Sequence, residues 1–156
     1  MDIKLIITLL IALAIIGGLA FYAGRLLFRL RKQEQQRLDN IQQRIARITQ
    51  SIQTISMAVE QQQCNLSEGC IRLCNLLAGL PIANPPNYAE LYPSVHELHN
   101  KVANLPTHDA RKLLTPSERR GQDMQREEDE ALLESKILLE VGQLKLFTIS
   151  YGKLRI

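Results

Sequence analysis

Leu38, Ile41, Ile45, Ile48, Ile52, Ile55 and Val59 recur at alternating spacings of three and four along this chain. That is the a/d register of a heptad repeat, and a 3.5-residue period belongs to an α-helix. The positions between are mostly Gln, Arg, Ser and Thr, and no Pro or Gly interrupts the chain from Arg25 to Leu66. One long amphipathic, coiled-coil-like helix is therefore expected over residues 31–64, and with it an all-α fold. Ile at both a and d would bias a self-associating coil above two strands. The e and g positions (Arg37, Gln42, Arg44, Thr49, Ser51, Ser56 and Ala58) offer no complementary ion pairs to select a partner. The stripe is read chiefly as packing on the chain's own later helices, with pairing between chains as the other destination.

Before this helix, Leu5 to Gly24 contains no charged residue. About 20 uncharged residues at ~1.5 Å each match a hydrocarbon core of roughly 30 Å. Residues 1–30 are therefore expected to form a transmembrane anchor and its flanks, bounded by Leu5 and Gly24. Arg25, Arg29, Arg31, Lys32 and Arg37 follow the run, and Lys4 stands alone before it. By the positive-inside rule this predicts a single-pass inner-membrane protein, N-terminus outside and C-terminal domain cytoplasmic. A cleaved signal peptide ending near Gly18-Leu19-Ala20 is the competing reading, but the run is long for an h-region of ~7–15 residues. Ala14/Gly18 and Ala20/Gly24 are small-residue pairs that permit close helix approach.

Residues 65–156 supply the rest of a small helical bundle. Asn65-Leu66-Ser67-Glu68 reads as a capping box ahead of a short helix at about 67–80, whose stripe is Cys70, Ile71, Cys74, Leu77 and Leu80. Pro81 stops it, and 81–92 is a loop around Asn84-Pro85-Pro86-Asn87. Pro93 opens a helix at about 93–105, followed by a turn at 107–114. Thr115-Pro116-Ser117-Glu118 is a strong start signal for a long helix at about 116–146. The run Glu127–Glu130 on it reads as a solvated face. Phe147, Ile149 and Tyr151 alternate weakly, which is not enough to assign a strand.

The segments Ser67-Glu68-Gly69-Cys70-Ile71-Arg72-Leu73 and Leu105-Pro106-Thr107-His108-Asp109-Ala110-Arg111-Lys112 resemble a family of short uncharacterised gammaproteobacterial proteins. Members have an N-terminal apolar segment and a domain of unknown function. The resemblance covers most of the chain and implies an inner-membrane setting, with no mechanism attached.

The search for chemistry gives little. Net charge is +3 and aromatics are 4% with no Trp, against the basic, aromatic-studded surface of a nucleic-acid binder. Three cysteines, an odd number, suit a reducing compartment. Cys70 and Cys74 lie one helical turn apart, and His96 and His99 are spaced i, i+3, so these four are the candidates for a metal site. Their spacing matches no zinc module, and the cysteines read better as buried apolar residues. His96-Glu97-Leu98-His99 is one residue short of a metalloprotease His-Glu-x-x-His. There is no phosphate-binding glycine loop and no nucleophile elbow. His108, Asp109, Arg111 and Lys112 form a charged turn, read as a solvated connector or as a recognition turn for a partner or an anion.

These observations predict a non-enzymatic, membrane-anchored helical interaction or scaffold protein that needs no cofactor. Its expected partners are the lipid bilayer and a cytoplasmic protein, with self-association through the anchor or heptad helix and no nucleic acid. The alternatives are a small metal- or ligand-binding helical domain and a structural coiled-coil oligomer.

Overall fold

The computed structural model describes residues 3–106 and 108–149, apart from the side chains of 4–6, 8, 9, 11, 12, 14 and 108. The fold is all-α: α1 Ile3–Glu60, α2 Leu66–Ala78, α3 Tyr88–Leu91, α4 Pro93–Val102, α5 His108–Lys112 and α6 Pro116–Leu144. The chain divides into two units, Met1–Gln43 and Arg44–Ile156.

The first unit holds the N-terminal part of α1. Among the described side chains from Ile3 to Leu30, thirteen large apolar ones are exposed, including Leu13 at 68%, Phe21 at 74% and Phe28 at 70%. A Cβ added at Gly17, Gly18 or Gly24 would meet nothing within 4 Å.

The expected transmembrane anchor between Leu5 and Gly24 is overturned here. Among the described residues no helix is long and apolar enough to cross a membrane. Leu5, the outer limit of the expected span, lies outside the described side chains. The single-pass inner-membrane location, with N-terminus outside and domain cytoplasmic, is withdrawn with the span.

The second unit is a bundle around one core. Ile52 and Val59 of α1, Cys70, Leu73, Cys74 and Leu77 of α2, Val95, Leu98 and Val102 of α4, and Leu133, Ile137, Val141 and Leu144 of α6 are buried together. Leu80, Tyr88 and Tyr92 complete the cluster. The shortest of the main helices, α4, touches α2, α3 and α6. Its stripe Val95, Leu98, Val102 is fully or nearly fully buried. Each such side chain contributes roughly 1.5–3 kcal/mol of transfer free energy. In α6 the apolar spacing begins only at Leu133, so its first half is held by polar contacts instead.

The helix ends show how local chemistry sets the chain path. α1 stops in a Schellman motif: Gln62 N–H donates to Val59 O at 3.0 Å and Gln63 N–H to Ala58 O at 2.8 Å. Gln62 sits at φ 55°, a left-handed position that usually takes Gly. Asn65 caps α2, its side chain accepting from Ser67 N at 3.0 Å. Glu68 does not complete a capping box, because its carboxylate pairs with Arg72 one turn on. At α6 the box forms in full: Thr115 Oγ1 accepts from Glu118 N at 3.3 Å and Glu118 Oε2 accepts from Thr115 N at 2.8 Å. Those bonds, that from the Thr115 backbone foremost, hold the Glu118 carboxyl below its usual range. Tyr92 provides no side-chain cap to α4. Glu140 of α6 supplies it, accepting from Ser94 N and Val95 N at 2.9 Å each.

Candidate functional site

Among the described residues, two surfaces are weighed as places where a partner or ligand could bind. One is the exposed apolar side of α1 in the first unit. The other is an open cleft in the second unit, about 530 Å³, where α2, the end of α4, α5 and α6 meet. Ile71, Val102, Leu105 and Pro106 give the cleft an apolar base. Arg111, Asp123, Arg126 and Glu68 carry its charges.

The cleft largely satisfies its own charges. Arg111 donates to both carboxylate oxygens of Asp123, at 2.8 and 2.7 Å. Arg126 lies 3.9 Å from Asp123 and 3.7 Å from Glu130. Glu130 in turn accepts from the Ser67 hydroxyl. Beside this ladder Lys101 donates to Asp129 at 2.8 Å. That hydrogen bond pulls the Asp129 carboxyl down from its ordinary value and pushes the Lys101 amine up. Among the described residues, Gln122 Oε1 and Arg126 Nε are buried without a hydrogen-bond partner.

This arrangement changes two features of the acidic run and the charged turn. Glu127 and Glu128 are exposed, whereas Asp129 is 8% exposed. Asp129 lies four residues before Leu133, on the buried face of α6, and meets Lys101 of α4 there. In the turn, Arg111 is committed to Asp123 and Lys112 to Asp109 at 2.8 Å. Neither cation is left unpaired for an anion, which favours a connector over an anion-binding turn.

Cys70 and Cys74 are buried at 0% and 5% exposure. Burial pushes both thiols up to about 12, and Cys74 Sγ lies 3.9 Å from Val95 O. That is the environment of an inert core thiol, not of a thiolate ligand. His96 turns its Nδ1 to Tyr92 O at 3.0 Å, and His99 sits beside Asn100 at 3.4 Å. Among the described residues no three His, Cys, Asp or Glu side chains are grouped to hold a metal ion.

The heptad residues divide between the units. Ile45, Ile52 and Val59 are buried at 1%, 0% and 2%, and Ile48 and Ile55 pack partly buried against the core. Leu38 is 41% exposed and Ile41 is half-buried in the first unit. The a positions of the second unit thus face its interior. Ser56, an e position, is buried with them, its hydroxyl without a partner among the described residues.

Comparison with known proteins places the fold in a sequence family. Residues 16–144 match the family described as "Protein of unknown function (DUF2489)". The chain belongs to DUF2489. The matched span takes in the cleft and the core helices, and of the exposed apolar part of α1 it takes in only the residues from Ile16 on. An "Uncharacterized protein" of Haemophilus influenzae is 40% identical over 131 residues, covering 84% of this chain and 86% of that one. No solved structure matches the chain.

Proposed function

We propose that this DUF2489 protein is a helical interaction module with no chemistry of its own. The second unit is a preorganised bundle, and the first unit presents the surface that a partner covers. The observation that carries this reading is the contrast in burial along α1. Its heptad residues from Ile45 onward are buried or half-buried, whereas thirteen large apolar residues among the described side chains from Ile3 to Leu30 stand exposed. A contiguous apolar surface of that extent marks an interaction site. The cleft supports the same reading by what it lacks. Its arginines are already paired with its own carboxylates, and no described His or Cys lines it.

The test is a photoreactive residue placed at Leu26 or Phe28 of the full chain in cells, with Asn100 as an exposed control in the second unit. Specific protein adducts at the first two sites and not at the third are expected. Absence of any protein adduct, or adducts to lipid alone, overturns the proposal.

A further inference from the structure

We infer that Phe147–Ile149 is a releasable strap: it covers Ile45 of α1 and lifts to bare it while the bundle stays folded. The strap lies wholly in the second unit and is independent of what covers the first.

The segment begins where the buried spacing of α6 runs out. Leu144 is 0% exposed and Leu146 is 76% exposed. Leu146 N–H donates to Gln143 O and Phe147 N–H to Leu144 O, both at 3.0 Å, and the chain then leaves the helix without regular structure. Its hold on the bundle is slight. Gln53 Nε2 donates to Phe147 O at 2.9 Å, and the Phe147 ring meets Tyr88 edge-on. Phe147 and Ile149 pack half-buried against the core, and Thr148 is exposed.

Ile45 shows what the segment covers. It is 1% exposed, yet it stands outside the core cluster that holds Ile52 and Val59 of the same helix. Among the described residues, those from beyond α1 that line its groove are Thr148 and Ile149. The segment therefore shields Ile45, where the packed helices shield Ile52. That groove is open and about 260 Å³ in volume. A second, of about 440 Å³, lies where the same two residues meet Ile82 and Pro86. Both leave the segment short of close packing. Thr49 lines the first groove, and its hydroxyl is buried with no hydrogen-bond partner among the described residues. Water reaches that hydroxyl once the segment lifts, which offsets part of the cost of baring Ile45. A segment held by so few buried contacts opens well below the free energy that unfolds the core. Lifting it adds Ile45 to the apolar positions that α1 presents.

The experiment is thiol labelling of the full chain in a Cys64→Ser background, read peptide by peptide by mass. Ile45→Cys reports the strap and Ile52→Cys the bundle. In low urea Ile45→Cys should label severalfold faster than Ile52→Cys, with a shallower dependence on urea, because local opening exposes less surface than unfolding. Ile149→Asp should raise the Ile45→Cys rate severalfold and leave Ile52→Cys unchanged. Should Ile149→Asp unfold the bundle, Gln53→Ala, which removes only the hydrogen bond to the strap, carries the same comparison. Equal rates with equal urea slopes at the two sites overturn the inference, since Ile45 is then bared only by unfolding. So does an Ile45→Cys rate that neither variant changes, since something other than the strap then covers it.

Discussion

Glu140 is the side chain whose removal should cost most for its position. α4 starts at Pro93, which has no N–H, so Ser94 and Val95 carry its first backbone donors. Both donate to Glu140, at 2.9 Å each, and Val95 is 0% exposed. In Glu140→Ala, water cannot readily replace the lost acceptor at Val95. An unsatisfied buried donor costs about 1–3 kcal/mol, and loss of a helix cap costs about 1 kcal/mol on its own. These overlap, and Glu140 is half-exposed, so the expected loss is about 2 kcal/mol. With a urea slope of about 2 kcal/mol/M, the unfolding midpoint should fall by about 1 M. Glu140→Gln keeps one acceptor oxygen and should lose about half as much. Glu134→Ala, on the exposed side of the same helix, should stay within about 0.5 kcal/mol. The assay is urea unfolding followed by far-UV circular dichroism. If Glu140→Ala unfolds with Glu134→Ala, α4 does not depend on the cap that α6 extends to it.

Other consequences can be measured in the same way. Gln62→Gly should raise stability by about 0.5–1 kcal/mol, because φ 55° costs a residue with a Cβ; a lower midpoint would contradict the Schellman geometry. Gly69→Ala should cost about 1–3 kcal/mol, because the added methyl lands on the Val59 side chain. Part of that loss should return in the double variant with Val59→Ala, and a neutral Gly69→Ala would refute the close approach of α2 to α1. Mass-resolved alkylation of the native chain at pH 8 should modify half-buried Cys64 first, and Cys70 and Cys74 only as the bundle opens, since burial holds their thiols near 12. Equal native rates would refute their placement. The Asp129 carboxyl is lowered from 3.8, so its pairing stabilises fully above that value and is lost as pH falls through the depressed one. The Lys101 amine is raised from 10.5, so its share is present below that value and lost as pH rises through the elevated one. Stability of Asp129→Asn relative to the parent should thus be lowest on the plateau between and converge with it at both extremes; a constant difference across pH would dismiss the ion pair.

The features legible in the sequence are those whose partners lie nearby in the chain. Thr115 and Glu118 satisfy one another's backbone donors within one turn, so the pattern alone specifies the bonds. Asn65 also caps as its position implies, but Glu68 has a second suitor in Arg72 at i+4 and takes it. The end of α1 carries no Gly or Pro signal, because Gln62 occupies the left-handed position. The cap of α4 was out of reach: Pro93 is visible, but its complement at Glu140 is supplied by another helix. The cleft was missed for the same reason. Arg111 and Asp123 belong to separate elements, and each alone reads as a solvated charge. Phe147 closes edge-on to Tyr88 at 6.3 Å and its carbonyl accepts from Gln53. Residues 150–156, with the last of the alternating apolar positions, lie outside the described residues.

The apolar positions of α1 obey one helical rule and meet two fates, and the difference is quantitative. From Ile48 on, the stripe lies in or against the second unit's own core, and Ile45 is buried. From Ile3 to Leu30, thirteen large side chains stand at 47–75% exposure. Covering them on one face recovers on the order of 1 kcal/mol for each residue removed from water. Six or more such residues therefore reach the lower part of the 4–15 kcal/mol that association costs in lost freedom. The polar cleft has no comparable reserve, since a ligand there must displace Arg111–Asp123 or work around it. Affinity for a partner is thus expected to come from the apolar helix.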